Sequence, residues 1–220
     1  MIKITPKKII HQVFIPVRED KPNITDFSVF VKSSESWREF AKQNDYQYIL
    51  WTEGSIDRLL NRYNLPTKFY LPNGELLKFA KIDFARYVFL AKFGGLYVDL
   101  DVLPKEGFED IFKRPIILNK WRKTYYNKDG TVKKYGKYEI QNGLMKFPKG
   151  YTEDLITYCL GQIKEKSQIP CYMNRKVRYF LHTTGNNMFK RWCKMKKLTY
   201  TEDILNYIED KNTKTWDNCI

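Results

Sequence analysis

The sequence predicts an α/β domain with a mainly parallel central sheet and a small C-terminal hairpin and helical region. Three observations predict it. A stretch of helical period, Leu76 to Phe93, breaks at Gly94-Gly95 and resumes with a period of two through Val102. Before it, strand-like apolar runs alternate with helical ones, the order that builds parallel sheets. After it, a loosely alternating segment surrounds Asp129-Gly130, a hairpin signal.

In chain order, Lys8 to Val17 is a short apolar run after Pro6 and reads as a buried first strand. Ser33-Ser34-Glu35-Ser36 offers caps for a helix through Trp37, Phe40 and Ala41. Tyr46 to Trp51, aromatic and β-branched, predicts the second strand. A short helix is expected around Ile56 to Tyr63, and Pro72-Asn73-Gly74 reads as a turn. In the helix that follows, Leu77, Ala80, Phe84, Val88 and Ala91 recur at helical spacing, and Asp83 and Arg86 share one edge. Gly94 suits a left-handed C-cap, and Gly95 lets the chain turn into a strand. There Leu96, Val98, Leu100 and Val102 are expected to point one way, and Tyr97, Asp99 and Asp101 the other.

Beyond Pro104, short strands are expected at Pro115 to Asn119 and Gln141 to Phe147, with the hairpin from Trp121 to Ile140 between them. Thr152 is placed to cap a helix carrying Leu155, Tyr158, Cys159 and Ile163. Arg175 to His182 reads as a strand, and Met188 to Lys197 and Thr201 to Glu209 as short helices. No linker divides the 220 residues, so one domain, 1–220, is expected, with 1–104 and 105–220 as its two halves.

The composition, 43% hydrophobic and 16% aromatic, supports a buried core, and no apolar run is long enough to span a bilayer. Met1-Ile-Lys-Ile-Thr-Pro-Lys-Lys lacks the apolar centre of a signal peptide, so with Met1 as the natural start the expected compartment is the cytoplasm. Cys159, Cys171, Cys193 and Cys219 match no zinc or thioredoxin spacing and are expected to be reduced thiols. A formal charge of +14 fits a nucleic acid, an anionic membrane surface or a phosphorylated substrate. The Lys-, Asn-, Ile- and Tyr-rich composition explains it equally well as codon bias.

Two carboxylates on one face near the end of a strand are a way to hold a divalent cation. Chance alone supplies roughly 0.8 Asp-x-Asp pairs in a chain with this many aspartates, so the pair draws its weight from context. That context is a hydrophobic strand, the two glycines, and a helix bearing Asp83 and Arg86. Oxygen ligands suit Mg²⁺ or Mn²⁺, which commonly bridge to phosphate oxygens. Carboxylates, a metal and positive surroundings point to a diphosphate ligand.

The stretch FAKIDFARYVFLAKFGGLYVDLDV resembles the signature of the DXD-containing sugar transferases of glycosyltransferase family 32, which includes yeast-type mannosyltransferases and bacterial capsule and lipopolysaccharide transferases. Pro6-Lys7-Lys8-Ile9-Ile10-His11-Gln12-Val13-Phe14 resembles the family's first strand, and Tyr48 to Glu53 its second. Matches further on are looser: Gln141 to Met145, Phe147 to Tyr151 with Tyr in place of His, and Thr183 to Asn186 with Asn in place of Pro. The resemblance implies a GT-A (Rossmann-like) nucleotide-sugar transferase fold and a metal-dependent, retaining transfer of a hexose, as in polysaccharide biosynthesis. The donor would be a UDP- or GDP-sugar, the acceptor a glycan or other hydroxyl, and the cofactor Mn²⁺ or Mg²⁺. Nucleic acid is not an expected partner, while peripheral association with a membrane is compatible.

Carried over by residue, the resemblance implies that Val13 and Phe14 touch the base, Phe14 by stacking. Asp83 would accept hydroxyl hydrogen bonds, and Arg86 would contact sugar or diphosphate. Tyr97 would line the donor pocket, Asp99 would bind hydroxyls or a metal water, and Asp101 would ligate the metal. Asn142 would stand near the reacting sugar, Thr215 would supply a further metal ligand, and Trp216 would close over the donor.

Plainer readings stand beside these. Phe14 reads also as core, and Asp83–Arg86 as a surface pair. His11 reads as a strand-end hydrogen bonder rather than a catalyst, and His182 as a satisfied strand histidine rather than a metal ligand. Lys120 to Lys137, with seven basic residues and interleaved Trp121, Tyr125, Tyr126 and Tyr135, reads as an acceptor-side hairpin or as a solvated edge. Two rival functions remain: a nucleic-acid-binding protein working through that hairpin, and an inactive, carbohydrate-binding relative.

Overall fold

The structure is a computed structural model and describes residues 8–127, 131–168 and 176–211. At its centre lies β1 (Ile9–Phe14), paired in parallel with β2 (Gln47–Thr52) on one side and β3 (Gly95–Val98) on the other. The antiparallel hairpin β5 (Ile117–Tyr126) and β6 (Val132–Phe147) extends the same sheet through β3, giving the order β2-β1-β3-β6-β5. A second sheet pairs β4 (Val102–Pro104) with β7 (Ile208–Asp210). The expected α/β architecture is present: a parallel core with a hairpin added at one edge.

The helices are α1 (Ser28–Gln43), α2 (Glu53–Arg62), α3 (Lys78–Lys92), α4 (Phe108–Phe112), α5 (Glu153–Lys166), α6 (Lys176–Thr183), α7 (Asn186–Met195) and α8 (Ile204–Tyr207). Side chains alternate across the sheet, and two cores follow. Val13, Tyr97, Met145 and Phe147 join Phe84, Val88 and Phe89 of α3. Ile10, Leu96, Val98 and Leu144 join Trp37 and Phe40 of α1 and Phe108 and Phe112 of α4. Every residue of α3 from Phe79 to Ala91 is buried, so this helix is core on all sides.

Gly94 (φ 70°) ends the turn after α3 in the left-handed region, as expected. Gly95 (φ 97°) is required twice over: a Cβ there would lie 2.3 Å from the Ile9 carbonyl oxygen.

Several expectations are corrected. Strand β3 stops at Val98, and Asp99 to Val102 forms a turn closed by the Val102 N–H on the Asp99 carbonyl (3.2 Å). The two aspartates therefore project from a turn rather than from one continuous strand. Helix α1 begins at Ser28, so Ser33 and Ser34 lie inside it. Their hydroxyls bond the Val102 carbonyl and Tyr48 instead of capping. Residues 176–183 are helical, not a strand: burial of Tyr179 and Thr183 follows a four-residue spacing against the core. The segments split at Gln141 form one long strand, because β5 pairs along it with a register shift between Leu118 and Asn119. Thr152 precedes α5 as expected, but its hydroxyl bonds the Tyr87 carbonyl and not the helix.

Candidate active site

At the carboxyl ends of the parallel strands the chain opens into a cleft. It is lined by Val13 to Val17 after β1, by Phe27 and Phe30 at the start of α1, by Phe79 and Ile82 of α3, and by Tyr97, Asp99, Leu100 and Asp101. Open α/β sheets bind ligands at this edge, because loops leaving neighbouring strands diverge there. Val13 is buried, and Phe14, partly exposed, meets Phe27 edge-on (6.4 Å) while Phe27 stacks on Phe30 (4.7 Å). The cleft thus has an aromatic wall at one end and two carboxylates at the other.

The carboxylates rest on a buried polar network. Arg86, 1% exposed, is its hub. One guanidinium nitrogen, Nη2, meets Asp83 Oδ1 at 2.9 Å. The other, Nη1, donates to the Asn142 carbonyl (2.8 Å) and lies 3.3 Å from Asp99 Oδ1. The guanidinium also sits over the Tyr97 ring at 4.5 Å, and the Tyr97 hydroxyl donates to Asp99 Oδ1 (2.7 Å). Alternation along β3 explains the encounter, since Tyr97 faces α3 while Leu96 and Val98 face α1. Asp83 and Arg86 are both buried, which removes the surface-pair reading.

Asn142 is buried behind this layer, donating to Asp83 Oδ1 (3.1 Å) and to the Tyr87 hydroxyl (3.0 Å). Tyr87 in turn donates to the Thr184 carbonyl (2.8 Å). Asn142, Asp83 and Arg86, all expected to contact the donor, are not among the residues lining the cleft. Asp83 Oδ2, although buried, has no hydrogen-bond partner, and the same holds for Arg86 Nε. A buried, unpaired carboxylate oxygen costs free energy until a donor reaches it.

Burial pushes the Asp99 carboxyl up to about 7; Arg86 opposes the shift and the Asp101 charge adds to it. Burial likewise lifts Asp83 to about 6 against the pull of Arg86 and Asn142. Arg86 alone leaves this group of carboxylates short of positive charge, and a second cation would hold them ionised. Oxygen donors from Asp99 and Asp101 fit a hard divalent ion. Among the described residues no set of three or more acidic, His or Cys side chains gathers to hold a metal. Thr215 and Trp216, expected as the further ligand and the closing ring, lie outside the described residues.

Support for the Asp99–Val102 turn comes from residues that the sequence did not flag. Gln12 donates to the Asp99 carbonyl (3.4 Å) and to Ser33 (3.1 Å). Ser33 and Trp37 both donate to the Val102 carbonyl, each at 2.7 Å. The Asp99 N–H donates to Gly143 (2.7 Å), where an added Cβ would lie 2.7 Å from Asp99 Oδ2. The available signal was a lone Gln in an apolar strand.

His11 is fully buried and held at both nitrogens: Nε2 donates to the Gly94 carbonyl (2.9 Å), and Nδ1 accepts from Trp51 (3.1 Å). It braces β1 against the Gly94 turn, in line with the structural reading. His182 sits on α6, not on a strand. Cys159 and Cys193 are free and buried.

Residues 28–126 match the family described as the glycosyltransferase sugar-binding region containing a DXD motif. The chain is 28% identical over 120 residues to inositol phosphoceramide mannosyltransferase 1 of Schizosaccharomyces pombe, a match covering 52% of this chain and 37% of that protein. The chain thus spans little more than a third of that relative. Among solved structures, the PaToxG glycosyltransferase aligns with a TM-score of 0.48 at 16% identity, over 86% of this chain and 69% of that one. The CTP:phosphocholine cytidylyltransferase of Streptococcus pneumoniae aligns with a TM-score of 0.35 at 11% identity, over 97% of each chain.

Proposed function

We propose that this chain, whose residues 28–126 match the DXD-containing glycosyltransferase sugar-binding region, moves a hexose from a nucleotide-diphosphate sugar to a hydroxyl of a glycan or similar acceptor, with retention of anomeric configuration. The observation that carries the reading is the cleft that runs from the Phe14–Phe27 wall to Asp99 and Asp101 beside a buried arginine.

In this reading the base lies against Val13 and Phe14, whose partly exposed ring offers a stacking face. Asp99 and Asp101 would hold Mn²⁺ or Mg²⁺. When bound, the ion supplies positive charge against the negative charge that grows on the leaving diphosphate. Tyr97 and Arg86 hold Asp99 Oδ1 in place, so the carboxylate meets its ligand already oriented. Asp83, 3% exposed and set back from the cleft, holds Arg86 from behind, and Arg86 in turn holds Asp99.

Two of the site's carboxylates are committed: Asp83 lies buried on Arg86, and Asp99 is fastened by Tyr97 and Arg86. Neither is placed as a covalent nucleophile, which favours displacement on one face of the sugar. The acceptor oxygen bonds to the anomeric carbon, the bond to the β-phosphate oxygen breaks, and that oxygen takes the acceptor's proton.

A thermal-shift screen of nucleotide sugars with and without Mn²⁺ tests the binding half of this reading. A donor that binds only the folded state raises the melting temperature. The expected result is a rise with one donor that needs Mn²⁺; no rise with any UDP- or GDP-sugar would sink the proposal.

A further inference from the structure

The β5–β6 hairpin leaves the sheet at Asn142 and Gly143, beside Asp99, and stays paired out to Tyr126 and Val132. At about 3.3 Å per residue the stretch of β6 from Val132 to Asn142 is up to about 35 Å long. Between Lys120 and Lys137 the hairpin carries seven basic residues and one acidic one, Asp129, so six of the chain's fourteen net positive charges sit on this arm. Lys133, Lys134 and Lys137 are exposed, and so are Val132 and Tyr135, at 42% and 54%.

Two rings on the arm, Tyr135 and Tyr138, each have a cation of the chain over one face. Arg122 lies over Tyr135 at 3.9 Å and near Tyr138 at 5.1 Å. Lys120 lies over Tyr138 at 4.7 Å and Tyr200 at 5.4 Å. A ring face covered by the chain's own cation is not offered to a nucleobase, whose stacking needs an open face. What the far end presents instead is fixed positive charge together with exposed aliphatic and aromatic surface. Dense negative charge over an apolar layer is the chemistry of an acidic bilayer surface. Among the described residues no helix is long and apolar enough to cross a membrane, so such contact would be peripheral.

We infer that the far end of the hairpin, Val132 to Lys137, docks on the headgroup layer of an anionic membrane and holds the cleft at a distance from it. The inference stands apart from the donor chemistry, since it uses none of the residues of the cleft.

The test is co-sedimentation of the full chain with vesicles of phosphatidylcholine alone and of phosphatidylcholine mixed with phosphatidylglycerol, at low and high salt. The parent should bind the acidic vesicles, far less the neutral ones, and weaken as salt rises. Each basic residue near such a surface strengthens binding about fivefold, so the variant Lys133→Glu, Lys134→Glu, Lys137→Glu should lose at least about 100-fold. The variant Val132→Ser, Tyr135→Ser should weaken binding about tenfold and leave the remainder more salt-sensitive. Both change exposed side chains, and unchanged melting temperatures and donor hydrolysis would show that cleft and fold are intact. Equal binding to neutral vesicles, a triple variant that binds like the parent, or tighter binding to single-stranded nucleic acid than to acidic vesicles would each overturn the inference.

Discussion

Asp99 is held by its surroundings more tightly than an exposed turn aspartate would be. Tyr97 and Arg86 fix one oxygen, Gly143 receives its N–H, and Gln12 reaches its carbonyl. Gly143 matters here for space: its missing side chain is what lets Asp99 Oδ2 lie close to the β6 backbone. The variant Gly143→Ala is predicted to fold, because the contact is with a side chain, and to push Asp99 out of place. Displacement of a site group by about 1 Å can cost about 100-fold, so kcat/KM for donor hydrolysis should fall by about that much. Unchanged kinetics would contradict the packing described. Helical and strand periods put Asp83, Arg86 and Tyr97 in view, while Asp99 and Asp101, on a turn past the end of β3, drew their weight from the family resemblance. Gln12, Ser33 and Gly143 could not be picked out in either way, since their roles depend on contacts between segments far apart in sequence.

Among the elements, α3 is the most legible, because a long periodic segment leaves little doubt about its type. The misread helix 176–183 shows the limit. Its aromatic residues suit a strand, and only packing against the core makes it helical. The long β6 was split at Gln141 because polar residues and a glycine look like a break until a partner strand is present. In β1, His11 gives a prediction of its own. Burial lowers its pKa to about 4, although the Gly94 carbonyl pulls the other way. The folded state thus prefers the neutral ring, while an unfolded chain takes up its proton near the ordinary value of about 6.5. The contribution of His11 to stability is therefore present above about pH 6.5 and is lost as pH falls toward about 4. Nuclear magnetic resonance titration should show one imidazole neutral down to about pH 4 or 5, protonated at Nε2. A midpoint near 6.5 for His11 would refute its burial between Gly94 and Trp51.

For the whole molecule, the first hundred residues build the cleft and the carboxylates, and the second half closes it from behind. β6 receives Asp99, while Asn142 and Thr184 lock Asp83 and Tyr87. That is why the resemblance is carried by the first half, while the second, whose contacts join distant segments, matches only in scattered pieces. Asp99 and Asp101 are proposed to serve a metal-dependent sugar transfer. Hydrolysis of the nucleotide sugar picked out by thermal shift should be compared for the parent and Asp101→Asn, with and without Mn²⁺. Asp101 is partly exposed on a turn, so the variant should melt at the parent's temperature. Hydrolysis should depend on Mn²⁺ in the parent and be lost in Asp101→Asn; equal, metal-independent turnover by both would rule out a metal held by these carboxylates.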